Sequence, residues 1–136
     1  MNNDLPNLDR PKDAKWIGSS QKDLRVMPEE IRDAFGYAIW IAQCGATHEG
    51  AKPLHGFGTG VLEVVESNKS GTYRAVYTVR FEEIVYVLHV FQKKSKRGIA
   101  TPKHDLDLIR SRLKIAENHY ADYLKTKAKQ ENESPG

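Results

Sequence analysis

The chain has 136 residues, 39% hydrophobic and 29% charged, which suits one domain with flanking tails and excludes general disorder. A formal net charge of +3 is only mildly basic and identifies no partner by itself. No apolar run approaches the roughly 20 residues of a membrane helix, the N-terminus lacks a signal-peptide core, and the single Cys44 excludes an intrachain disulfide.

A cytoplasmic protein is therefore expected, with a mobile tail over residues 1–14, a domain over 15–126 and a second tail over 127–136. Lys15-Trp16-Ile17-Gly18 reads as a short first strand. Ser19 or Ser20 offers an N-cap to a short helix reaching about Val26. Pro28 suits a first helical position, with Glu29 and Glu30 in the first turn. Ile31, Phe35, Ala38, Ile39 and Ala42 then recur at helical spacing, and Gly45 ends that helix. Tyr37 and Trp40 widen its apolar surface, and Cys44 reads as a small buried hydrophobe. Residues 46–60 form a glycine-rich loop carrying Lys52 and His55. Its Gly56-Phe57-Gly58-Thr59-Gly60 run has no following helix, so it predicts a tight turn and not a phosphate cradle.

The period then changes to two. Val61 to Glu66 is a strand and Ser67 to Gly71 a turn. From Thr72 to Arg80, Tyr73, Ala75, Tyr77 and Val79 alternate with Arg74, Val76, Thr78 and Arg80. After a turn at Phe81-Glu82-Glu83, Ile84 to Phe91 is almost wholly apolar, as in a central strand covered on both faces. Thr101 and Pro102 start the last helix. Leu106, Ile109, Leu113, Ala116, Tyr120 and Tyr123 give it one apolar stripe. Strand, two helices, three strands and a helix make an α+β domain.

The chemistry is narrowed first by absences. There is no P-loop, no GxGxxG, no HExxH and no Cys/His ligand spacing, so no cofactor or metal is expected. Between Ile84 and His104 stand five cations, Lys93, Lys94, Lys96, Arg97 and Lys103, and no Asp or Glu. Such a cluster at a strand end suits phosphate binding or a solvated turn. By simple alternation His89 shares a face with Val85, Val87 and Phe91, and it is either a hydrogen-bonded structural residue or a proton carrier. An aromatic, an imidazole and two cations within six residues are what RNA cleavage needs without a metal. The 2′-hydroxyl must lose its proton, the phosphate charge must be neutralised and the 5′ oxygen must gain a proton. Arg74, flanked by Tyr73 and Tyr77, is either a salt-bridge partner of Glu63 or Glu66, or a fork for the scissile phosphate.

Several segments stand in a familiar order and spacing: Lys52-Pro53-Leu54-His55-Gly56-Phe57-Gly58, Leu62-Glu63-Val64, Thr72-Tyr73-Arg74-Ala75-Val76-Tyr77 and Val87-Leu88-His89-Val90-Phe91-Gln92-Lys93-Lys94-Ser95. With the Pro28 helix, the Gly98–Pro102 turn and the Arg112 helix, roughly residues 15–120 resemble RelE/ParE superfamily toxins of the phage-derived Gp49-like or HigB-like branch. The resemblance implies a RelE-like fold: a twisted antiparallel sheet against two N-terminal helices, with the C-terminal helix nearby. It implies metal-independent, ribosome-dependent mRNA cleavage in the A site, by 2′-hydroxyl attack on the phosphodiester. It also implies neutralisation by a helix-turn-helix antitoxin.

By that resemblance the catalytic candidates are Arg74, His89, Lys93 and Lys94, and the RNA-binding candidates are Lys52, His55, Phe91, Lys96 and Arg97. One departure matters. Many relatives write Glu-Leu-Arg where this chain has Glu63-Val64-Val65, so a cation is missing from the first hairpin strand, and Lys52, His55 or Lys96 are its possible substitutes. Two rival functions share the fold: a ParE-like gyrase-inhibiting toxin and a non-enzymatic partner-binding module.

Overall fold

The computed structural model describes residues 8–93 and 100–133. Strand β1 (Asp13–Trp16) leads into the short helix α1 (Ser20–Arg25) and the longer α2 (Glu29–Gln43). Strands β2 (Lys52–Pro53), β3 (Val61–Asn68), β4 (Gly71–Thr78) and β5 (Ile84–Lys93) follow, and helix α3 spans Lys103–Glu133. Helix α2 ends as its sequence predicts. Gly45 takes φ 85, its N–H reaches Ala42 O at 3.0 Å, and the Ala46 N–H reaches Ile41 O at 3.1 Å. Those two bonds satisfy carbonyls that a helix end would otherwise leave open.

All five strands form one sheet in the order β1-β5-β4-β3-β2. The sheet is mixed: β3, β4 and β5 pair antiparallel as expected, and only the added edge strand β1 departs from that expectation. Strand β1 pairs in parallel with β5, from Asp13↔Ile84 to Trp16↔Val87. Helices α1 and α2 carry the chain away across one face. The hairpins then return β5 to the side of β1, running in the same direction. The segment read as loop also supplies an edge strand, because Lys52 and Pro53 pair with Glu63 and Leu62. A proline is tolerated there because an edge strand needs no donor on its open side.

The sheet has a core on each face. Ile31, Phe35, Ala38, Ile39 and Ala42 of α2 pack on Val64, Tyr73, Ala75, Tyr77, Val85, Val87 and Val90. On the other face Ile109, Leu113 and Ala116 of α3 pack on Val61, Val76, Tyr86, Leu88 and Phe91. Ile39 is 2% exposed, so truncation to Ala should cost about 2–5 kcal/mol. Chemical denaturation checks this, and a loss under about half a kcal/mol would reject the packing.

The register between β4 and β5 slips once. Tyr77 faces Val87 but Val76 faces His89, so Leu88 is an extra residue on β5. This β-bulge shifts the alternation of every later residue by one. Val85 and Val87 face α2, whereas Leu88 and Phe91 face α3. His89 therefore leaves the face of Val85 and Val87, where simple alternation placed it, and joins Arg74, Val76 and Phe91 on the α3 side.

Candidate functional site

The bulge gathers the candidate chemistry on one face of the sheet. Arg74 stands opposite Phe91, and Val76 opposite His89. Arg74 and His89 are thus diagonal neighbours on adjacent strands, about 7–8 Å apart by strand geometry. The first turn of α3 closes over them.

Arg74 is 4% exposed. Its Nη1 donates to Glu63 Oε2 at 3.0 Å and to Thr101 Oγ1 at 3.2 Å, and Thr101 Oγ1 donates to the same Glu63 oxygen at 3.3 Å. The structure therefore contains the Glu63 salt bridge that the sequence left as one of two alternatives. Glu63 keeps 15% of its side chain exposed, so the pair lies at the surface of the cluster. Thr101, read as a helix cap, spends its hydroxyl on this pair instead.

His89 is 6% exposed. Its Nε2 lies 2.7 Å from Asp105 Oδ1, and its ring stacks on Phe91 at 4.4 Å between centroids and 15° between planes. Arg112 Nη1 lies 3.4 Å from Nδ1. A guanidinium only donates, so this network makes Nδ1 the acceptor and puts the proton on Nε2, facing Asp105. The His89 pKa lies below the ordinary histidine value of 6.5. Burial is the main cause; the Asp105 hydrogen bond and charge oppose it, and the Arg112 charge adds to it. The folded chain thus binds this proton less readily than the unfolded one. His89 stabilises the fold above about pH 6.5, and that contribution is lost as acidification passes through the lowered pKa.

Arg112 holds the bulge itself. Its Nη1 donates to Leu88 O at 3.0 Å and its Nη2 to Ser19 Oγ at 3.0 Å. Ser19 in turn donates to Asp23 Oδ2 at 2.7 Å. A buried guanidinium so placed needs a neighbour without a side chain: a Cβ at Gly18 would stand 2.7 Å from Arg112 Nε. Sequence reasoning missed Arg112 and Asp105 as site residues. Their signal was slight, a buried-side Arg between Ile109 and Leu113 and an acid in the first turn of a helix.

The other candidates are dispersed. Lys93 pairs with Thr72, one step beyond the Arg74–Phe91 pair and on the same face. Lys52 is exposed and faces Glu63 from the edge strand. Val65 stands opposite Arg74 and is 44% exposed, so the position of the missing cation is an apolar surface beside the guanidinium. His55 is exposed in the glycine-rich turn. Lys94, Lys96 and Arg97 lie outside the described residues. Among the described residues no group of three or more His, Cys, Asp or Glu could hold a metal ion, and no helix is long and apolar enough to cross a membrane.

The chain is similar to two solved structures. One is the toxin–antitoxin complex RelBE2 from Mycobacterium tuberculosis, at 21% identity and TM-score 0.45, covering 65% of this chain and 99% of that one. The other is a two-site arginine-to-alanine mutant of E. coli toxin RelE in the free state, at 20% identity and TM-score 0.48, covering 63% and 87%. No curated protein matches the sequence significantly. Residues 22–114 match the family described as phage derived protein Gp49-like (DUF891). That match spans most of the chain, including Glu63, Arg74, His89, Asp105 and Arg112, and the chain belongs to the phage-derived Gp49-like family.

Proposed function

We propose that this protein is the toxin of a toxin–antitoxin pair, a metal-independent endoribonuclease that cleaves mRNA in the ribosomal A site and stops translation in the cytoplasm. The observation that carries the reading is the shared face of Glu63, Arg74, His89 and Phe91, with Lys93 at its end. Arg74 exchanges Glu63 for the scissile phosphate, which a planar fork binds through two parallel hydrogen bonds. Glu63, released as a carboxylate beside it, accepts the 2′-hydroxyl proton. The 2′ oxygen attacks phosphorus, the bond to the 5′ oxygen breaks, and the products are a 2′,3′-cyclic phosphate and a 5′-hydroxyl. The general acid is the imidazolium form of His89, a minority above its lowered pKa. Asp105 favours that form against burial and the Arg112 charge, and it supplies the proton that the leaving oxygen takes. Lys93 and Lys94 act as point charges on neighbouring phosphates, and Lys52, beside Glu63, takes the place of the missing hairpin cation. The partner that silences it is a helix-turn-helix antitoxin.

A partner-binding module is the second reading, and one observation favours it. Arg74 and His89 are both nearly buried and engaged within the chain. Induced expression in a bacterium separates the readings. A toxin arrests growth, and co-expression of its antitoxin restores it. Unchanged growth at high soluble expression would favour the module.

A further inference from the structure

The glycine-rich turn takes no part in the site above, yet two arginines staple it. Arg80 Nε donates to Thr59 O at 2.9 Å, and its Nη2 donates to Phe57 O. The Arg110 guanidinium lies 4.6 Å over the Phe57 ring, with Nη1 3.4 Å from Gly56 O. Between this turn and α3 runs an open groove of about 600 Å³, lined by Phe57, Arg80, Asp107, Arg110, Lys114 and Glu117 among others.

Its charges do not cancel. Asp107 is paired with Lys103 at 2.7 Å, and Glu117 faces Arg80 at 3.9 Å. With Arg80, Arg110 and Lys114 against Asp107 and Glu117, the described lining keeps an excess of one positive charge. Arg110 also acts on Asp107, and Arg110 and Lys114 are both exposed. They stand one turn apart on α3, five and nine residues beyond Asp105, about 8 and 14 Å along the helix axis from the site. A guanidinium seated on an aromatic ring is held in place with its N–H edge free for an anion.

We propose that this groove is a second phosphate-binding site, which takes the backbone of single-stranded RNA running along α3 away from the scissile phosphate. The inference rests on the reading that the protein acts on RNA. It adds a binding determinant that contributes affinity and no chemistry, because neither cation touches the reacting cluster.

The test uses the full chain and a short 2′-O-methyl oligoribonucleotide, which cannot be cleaved, with binding followed by fluorescence anisotropy across a salt series. Arg110→Gln with Lys114→Gln removes two charges from exposed helix positions; loss of the Arg110–Phe57 stack should lower the thermal midpoint by a few degrees with the fold retained. Two lost phosphate contacts should lower the slope of log affinity against log salt by about 1.4. From about 50 to about 200 mM salt the wild type should then lose about sevenfold more affinity than the variant. An unchanged slope and affinity in the folded variant, with the wild type binding, would overturn the groove and leave the RNA reading standing. A wild type that binds polyglutamate and no RNA would overturn both.

Discussion

Arg74→Ala should abolish growth arrest and lower single-turnover mRNA cleavage by about 10²–10³-fold, the usual effect of removing one group that neutralises a developing oxyanion. The substitution also strands Glu63, whose side chain is 15% exposed and which loses its ion-pair partner. A stability cost of about 1–3 kcal/mol is therefore expected beside the loss of activity. Arg74→Met combined with Glu63→Gln removes both charges and should recover much of that stability without recovering activity. Denaturation of the two variants separates the effects. A folded Arg74→Ala protein that stays fully toxic would remove Arg74 from the mechanism.

His89→Gln should slow cleavage by about a hundredfold or more while substrate affinity holds, if the imidazole moves a proton. The structure sharpens this expectation, because both ring nitrogens already have partners, Asp105 and Arg112. A purely structural His89 would fasten α3 to the bulge, and its loss would lower stability with no change in the rate of the folded fraction. The pH profile distinguishes the two. A proton-carrying His89 with a pKa below 6.5 puts the change in rate on the acid side of that value, and Arg112→Met should move it upward by removing a neighbouring positive charge. Flat rates across that range in both proteins would assign His89 to structure.

What was legible in the sequence was what short-range periodicity encodes. The α2 stripe, its Gly45 terminus, the alternation through β4 and the α3 stripe all follow from side-chain spacing. Two features were not legible, for the same reason. The parallel pairing of β1 depends on where the chain returns after two helices and a hairpin, and no local pattern records it. The bulge at Leu88 falls in a run that is apolar on both faces, so the slip of one residue leaves no trace in hydrophobicity. That slip decides whether His89 faces α2 or joins Arg74. In the sequence Glu63 reads only as one of two salt-bridge partners for Arg74, because a strand pattern shows which acids lie near the guanidinium and not which one it meets. The proton-acceptor role proposed for Glu63 rests on the guanidinium and carboxylate standing 3.0 Å apart on the open side of the cluster.

The central claim is that mRNA is cut on the ribosome, and mapping mRNA ends in a purified translation system tests it directly. Primer extension on a message with ribosomes stalled at a defined codon should show new 5′ ends within the A-site codon. Those ends should need both ribosomes and the wild-type protein, and they should disappear with Arg74→Ala. Intact message in the presence of folded protein that still arrests growth would contradict the account.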